Sequence, residues 1–433
     1  MKKTENIVGF ALLFASLAFG YFYLQNLGKE VLFLRWLIGI GIGYLLTRAF
    51  FGFAGSANRA YRTGSTKLMR ALMFMFALTA ILNAGLFAFN GGPEGFKMSV
   101  HPINVGLGLG GLLFGFGMAF CSCCASGSLT DIVTALPRGG ITLLFMCIGV
   151  FVGFPFQARS SWVKDSLFTV TPSVAREASK LKGSMKGVWL PDLFASETSN
   201  GMFGAILLTI LFASIVIVLS YLYEKKRKQS NTFSGVGSEI EQDKVEEFDV
   251  KHYKFFSAEN YSHIFSKPWT LATGAVVFAV LFLLLMGVAK TGWGVTTSFG
   301  IWFGKLLKLF GVSTEALVAF TGQKAAKFDA AFFADGGTVQ NIGIIVGTII
   351  CLLLAGTFTP TCKSELKTTP MDIIVYAIGG FAMGIGTRFA NGCNAGALFT
   401  PIAQFSLSGW IYLIFVTSGG IIGNMVLRAM KRV

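Results

Sequence analysis

Ten runs of apolar residues, each close to the length that crosses a bilayer, dominate this sequence of 433 residues. A helix rises 1.5 Å per residue, so about 20 residues cover the hydrocarbon core. The runs fall at residues 7–24, 31–52, 70–90, 102–120, 140–157, 202–223, 269–290, 341–358, 373–388 and 409–428. Lipid offers no partner to a bare peptide group, so such runs are expected as helices. The fold class that follows is an all-α polytopic membrane protein in a lipid bilayer. Composition agrees, with 53% hydrophobic and only 13% charged residues, where a soluble domain carries roughly a quarter charged. The net charge of +15 sits largely in short loops and at the termini, and no nucleic-acid motif accompanies it. No nucleic-acid partner is expected.

Charge in the loops predicts orientation. Arg59, Arg62, Lys67 and Arg70 separate the second and third runs. Lys225, Lys226, Arg227 and Lys228 follow the sixth, and Arg428, Lys431 and Arg432 close the chain. The positive-inside rule puts all three groups, and both termini, in the cytoplasm of a cell with this protein in its inner membrane. The expected organisation is an N-terminal helix over 1–30, a first membrane repeat over 31–157, a periplasmic segment and sixth span over 158–223, a solvated cytoplasmic linker over 224–266, and a second repeat over 267–433. Residues 294–310 are apolar but interrupted by Lys305 and Lys308, and are expected to be re-entrant or interfacial.

The repeat is carried by two glycine-rich stretches. Gly110, Gly111, Gly115, Gly117, Phe120, Cys124, Gly127 and Leu129 match Gly379, Gly380, Gly384, Gly386, Phe389, Cys393, Gly396 and Leu398 at one offset of 269, without a gap. Upstream, Gly43 to Gly55 resembles Gly292 to Gly304 at an offset of 249. The unpaired sixth span would reverse the second copy, giving two inverted repeats.

Each repeat breaks at a cysteine. Ala125-Ser126 and Asn394-Ala395 are expected to open short re-entrant half-helices, whose N-termini carry partial positive charge suited to an anion. A thiol is soft and a weak donor, which suits a polarisable sulfur-bearing substrate. Cys124 and Cys393 are therefore candidate path residues, joined by Gly127, Gly396, Asn391 and Asn394. Arg388 is a candidate anion attractor at the outer mouth, with a salt-bridged or snorkelling arginine as the structural alternative. Asp131 is expected to cap a half-helix or neutralise an arginine, and His101 to be interfacial. Cys121 and Cys123 are candidate path residues too, although they have no counterpart in the second repeat. A soft metal on Cys121-Ser-Cys123-Cys124 would need further ligands, and no histidine lies near, so no metal is assigned. No P-loop or other nucleotide motif is present, so no cofactor is expected.

Gly384-Ile-Gly386-Thr-Arg388-Phe-Ala-Asn391-Gly392-Cys393-Asn394-Ala-Gly396-Ala-Leu398 followed by Ser408-Gly409-Trp410 resembles the signature of the YeeE/YedE membrane proteins. Cys124-Ala-Ser126-Gly127 and Leu46 through Gly55 are similar to its first half. The resemblance implies uptake of sulfur compounds, thiosulfate in one branch, through an hourglass-like fold with cysteines along a central path. It implies Cys124 and Cys393 as the paired cysteines. The thiosulfate branch carries a further cysteine between aromatics, where this chain has Phe51-Gly52-Phe53. The YedE-like branch is linked with selenium.

The expected function is import of a small sulfur-containing anion, thiosulfate foremost, by a transporter rather than an enzyme. The alternatives are transport of a selenium compound, or a membrane sulfurtransferase or redox relay. A cytoplasmic sulfur-carrier protein is a candidate acceptor.

Overall fold

The computed structural model describes residues 2–27, 30–168, 182–196, 199–244, 254 and 257–432. In the first half, α1 (Lys2–Phe19) winds on through Gly20–Leu24 and is followed by α2 (Glu30–Arg48), α3 (Phe53–Thr63), α4 (Lys67–Phe89), α5 (Val105–Cys121), α6 (Ala125–Thr134) and α7 (Leu136–Arg159). A long α8 (Met202–Gln229) and a short α9 (Gly237–Gln242) connect to the second half. There, α10 (Leu271–Ala289), α11 (Thr296–Leu309), α12 (Gly336–Ala355) and α13 (Pro370–Phe389) precede α14, a π-wound turn at Asn394–Phe399 that runs on into Thr400–Ala403, and α15 (Leu407–Ala429). Ten spans among the described residues are long and apolar enough to cross a membrane, close to the ten runs in the sequence. The chain is a multi-pass, all-α membrane protein.

Local chemistry sets the helix ends nearest the centre of the bundle. Asn104 caps α5, its side chain accepting from Leu107 N at 2.9 Å. Thr369 and Asp372 form a reciprocal capping box at the start of α13, with Pro370 in the first turn where its missing N–H costs nothing. Both helices stop at a left-handed residue that is not glycine, Ser122 (φ 55°) after α5 and Asn391 (φ 60°) after α13.

Glycines set how closely these two helices approach. A Cβ on Gly110 would lie 2.6 Å from Gly386 O, and one on Gly386 would lie 2.7 Å from Gly110 O. A Cβ on Gly117 would lie 2.3 Å from Gly379 O, and one on Gly379 would lie 3.0 Å from Gly117 O. Small residues allow such backbone contact in lipid, where the hydrophobic effect between helices is weak. The pairing runs 110 to 386 and 117 to 379, so α5 and α13 pack antiparallel. At the offset of 269, residue 110 corresponds to 379 and residue 117 to 386. Each contact therefore occurs twice with its partners exchanged. The same exchange recurs across the bundle. The α2–α12 contact has its counterpart in α4–α10, α7–α13 in α5–α15, α7–α11 in α3–α15, and α6–α12 in α4–α14.

The outermost spans lie away from this centre. Only 17% of the α8 window and 22% of the α1 window is buried, against 72% across Val105–Thr134. The leucine, isoleucine and valine side chains of α8 that remain exposed suit a lipid-facing position. At one end of the bundle, β1 (Lys97–Val100) pairs in parallel with β2 (Lys182–Met185). Gln404, past the end of α14, accepts from Ser99 N at 2.7 Å and donates to Lys97 O at 3.2 Å, so this strand pair covers α14.

Two expectations need correction. The upstream match at offset 249 is out of structural register. Gly43 lies inside α2, whereas Gly292 lies in the connection after α10. The left-handed breaks that do correspond are Phe50 (φ 48°) and Lys290 (φ 51°), an offset of 240. Glycines spaced for helix packing produced the false alignment. The linker is also more than a solvated connector. Glu239 of α9 is buried and pairs with Arg59 at 3.0 Å. Gln242 Nε2 donates to Ala49 O at 2.6 Å and Trp269 O at 2.8 Å. It satisfies carbonyls left free where α2 ends and before α10 begins, which fixes α9 against the bundle. Linker residues 245–253 and 255–256, and residues 169–181 and 197–198 of the segment before α8, lie outside the described residues. Residues 294–310 form α11, whose 14 residues reach only about 21 Å.

Candidate functional site

The two cysteine turns share one backbone. Cys124 (φ −106°, ψ −173°) and Cys393 (φ −92°, ψ −167°) are extended, each two residues after its left-handed residue, and each is the N-cap of the short helix that follows. Side chains from other helices hold both turns. Arg62 donates to Ser122 Oγ (3.2 Å), Ala119 O (3.1 Å) and Asn424 Oδ1 (2.8 Å). Asn391 Oδ1 accepts from Gln157 Nε2 at 2.9 Å. Neither turn is free to flex by itself.

Both sulfurs are buried. Cys393 opens α14, so its sulfur lies beside the N-terminal backbone of that helix. Cys124 Sγ lies 3.4 Å from Ser126 Oγ. The two thiols are within electrostatic range of one another. A Cβ on Gly127 would stand 3.2 Å from Cys123 Cβ and 3.6 Å from Cys124 Sγ, so glycine keeps space beside the thiols. Gly396 O faces His101 Nε2 at 3.0 Å. His101 is thus half-buried against α14.

A cavity of about 180 Å³ opens onto Cys124, with Cys123, Ser126, Gly127, Phe51 and Gly52 among its walls. Through Thr130 and Asp131 it adjoins a wider cleft of about 730 Å³ that includes Arg48, Arg138, Cys351 and Glu365. Asp131 pairs with Arg138 at 3.2 Å, the neutralising role expected of it. Cys123 and Cys124 therefore share a cavity, and Cys121 does not join them. Cys121 is packed in the α5–α13 contact, its thiol 3.4 Å from Tyr376 O. Gly52 stands on the same cavity as Cys123. A Cβ there would meet nothing within 4 Å.

Arg388 is 3% exposed. Its guanidinium donates to Thr296 Oγ1 (2.7 Å), Thr297 Oγ1 (3.2 Å), Gln157 Oε1 (3.3 Å) and Thr387 Oγ1 (3.2 Å), and lies over the Phe154 ring at 5.4 Å. Among the described residues no carboxylate pairs with it. It is neither salt-bridged nor snorkelling, but a buried cation with neutral partners. Gln157 joins it to Asn391, two residues before Cys393. Asn394 donates through Nδ2 to Met118 Sδ at 3.1 Å, while its Oδ1 is buried with no partner among the described residues.

Sequence reasoning did not single out Arg62, Gln157 or Tyr412. The contacts of Arg62 and Gln157 to the turns cross tens to hundreds of residues, and no periodicity links them. The unpaired buried Tyr412 is the one with a sequence signal, since its counterpart at the offset of 269 is Leu143.

Comparison with known proteins bears on the same residues. The profile of the sulphur-transport family (Sulf_transp) matches residues 48–422. The chain is 24% identical over 390 residues to the thiosulfate transporter TsuA of Spirochaeta thermophila, covering 88% of this chain and 95% of that protein. It is 21% identical over 390 residues to TsuA of Escherichia coli, covering 88% and 91%. It is 30% identical to the probable transporter YedE of Escherichia coli over 162 residues, only 36% of this chain and 37% of that protein's length. A match that takes in both cysteine turns and the helices around them establishes that this multi-pass membrane protein belongs to the sulphur-transport (YeeE/YedE) family.

Proposed function

We propose that this protein imports a small sulfur-containing anion, thiosulfate foremost, along a path on which Cys393 and Cys124 are successive contacts. The observation that carries this is the repeated turn: a left-handed residue, an extended cysteine and a short helix, once in each half. The short helices present N–H groups to an anion while the thiols meet its polarisable sulfur. Antiparallel packing of α5 on α13, with contacts exchanged between the halves, supports two inverted repeats whose half-helices enter from opposite sides. The cavity at Cys124 and the wider cleft beyond it would then be the inner exit. The basic loops gathered at that end, with Lys67 paired to Asp243 and Arg432 to Asp372, support a cytoplasmic location for the linker and both termini. A sulfur-carrier acceptor would approach from there.

The experiment is uptake by cells that need an imported sulfur source, comparing thiosulfate, sulfite, sulfide and selenite. Cys393→Ala is expected to reduce thiosulfate uptake at least tenfold at unchanged membrane abundance. Uptake by that variant at the wild-type rate would refute the cysteine path. Preference for selenite over thiosulfate would refute the substrate.

A further inference from the structure

One buried polar group, on a helix packed against those that adjoin the two cysteine turns, has no role in the path described above. Tyr412 lies in α15 on the same face as Ser408, Gly409 and Val416, all buried. That face meets two elements. A Cβ on Gly409 would sit 2.9 Å from Leu398 O and 2.6 Å from Ile402 Cγ1 of α14, and one on Gly115 of α5 would sit 2.0 Å from Val416 O. Tyr412 is thus held between the helix that precedes the Cys124 turn and the helix that follows Cys393. Its side chain is completely buried. Its hydroxyl has no hydrogen-bond partner among the described residues. The phenol lies within electrostatic range of both Cys393 and Cys124.

A buried hydroxyl without a partner is unfavourable and is not retained for stability, since phenylalanine would fill the same space without the penalty. The first half places Leu143 at the corresponding position. The hydroxyl therefore makes one wall of an otherwise two-fold arrangement polar. A neutral phenol donates one hydrogen bond, and an oxyanion passing between the thiols would accept it. Thiols are poor donors to hard oxygen but suit soft sulfur. The two group types divide the work.

We propose that the Tyr412 hydroxyl donates to an oxygen of a sulfur oxyanion during its passage between Cys393 and Cys124, and so selects anions that carry both a soft sulfur and a hard oxygen. The assignment rests on the transport reading above. In the empty protein the donor is unpaired, so substrate binding forms this bond without breaking another within the protein. An anion of similar size that lacks oxygen, such as thiocyanate, gains nothing from it.

The test compares the full-length protein and Tyr412→Phe, purified in detergent, by calorimetric titration with thiosulfate and with thiocyanate, alongside thermal unfolding without substrate. Thiosulfate affinity is expected to fall about tenfold or more in Tyr412→Phe, as for loss of a hydrogen bond to a charged group. Thiocyanate affinity should stay within twofold, and the substrate-free unfolding midpoint should hold or rise. Unchanged thiosulfate affinity in Tyr412→Phe, with the wild type binding normally, overturns the role of the hydroxyl alone. A lowered substrate-free midpoint overturns it too, by exposing a structural partner. Failure of the wild type to bind thiosulfate removes the transport reading and this assignment with it.

Discussion

Replacing Gly117 by alanine tests whether the α5–α13 contact sets the spacing of the two cysteine turns. The new Cβ would stand 2.3 Å from Gly379 O and 2.5 Å from Met383 Cγ. The methionine side chain can swing aside, but the carbonyl belongs to the α13 backbone. The helices would have to separate by about 0.7 Å to reach the 3.0 Å that real Cβ contacts keep. Overpacking of this size costs about 1–3 kcal/mol, partly offset by the roughly 1 kcal/mol by which alanine exceeds glycine in helix propensity. Gly85→Ala is the control. Gly85 lies within α4, and a Cβ there meets nothing within 4 Å, so only the favourable propensity remains. In detergent, Gly117→Ala is expected to lower the unfolding midpoint and Gly85→Ala to hold or raise it. Uptake should fall in the first and not in the second, because α5 and α13 lead directly into the Cys124 and Cys393 turns. Equal stability and equal uptake in the two variants would refute the reasoning, since it would mean that the helices separate without effect.

Two further outcomes follow from the site. Gly52→Cys should fold with stability changed by no more than about 0.5 kcal/mol, because residue 52 is extended (φ −145°, ψ 137°) with open space at Cβ; it should keep thiosulfate uptake and add one thiol reactive to a membrane-impermeant maleimide applied to inside-out vesicles, and loss of folding or no gain in labelling would contradict the cavity geometry. Arg388→Gln should reduce uptake of a divalent anion about tenfold or more while raising thermal stability, because it removes a buried cation whose partners are all neutral; a fall in stability with uptake intact would reverse that reading.

The spans were legible because they depend on local properties of the chain. Apolar length gives the spans, and the spacing of Gly110, Gly117 and Cys124 against Gly379, Gly386 and Cys393 records a contact that each half makes with the other. The upstream match failed because glycine in membrane helices recurs at packing intervals whether or not two segments are equivalent. The structural landmark there is a left-handed break, Phe50 against Lys290, and neither residue type announces a positive φ. The docked α9 was hidden for another reason. Its sequence, Gly-Ser-Glu-Ile-Glu-Gln, reads as solvent-exposed, and it is the carbonyls, Arg59 and Ser65 it meets that account for burying Glu239 and Gln242. Cys121, Cys123 and Cys124 looked alike as a cluster. The turn at Ser122 separates them, leaving Cys121 in the helix contact and the other two on the cavity.

The unpaired charge of Arg388 also bears on the energetics of import. Moving one elementary charge through a membrane potential of 100 mV involves about 2.3 kcal/mol. Thiosulfate is a dianion, so entering a cell that is negative inside by that amount costs about 4.6 kcal/mol. On the proposed route, a fixed cation such as Arg388 would lower the electrostatic barrier to an approaching anion, but it stays in place while the anion passes. Its attraction is gained on approach and lost on departure, and cancels over the whole crossing. Arg388 can therefore make entry faster without making accumulation any more favourable. If the chain imports such an anion, inward concentration must come from an ion that moves with it or against it, or from its consumption on the inner side.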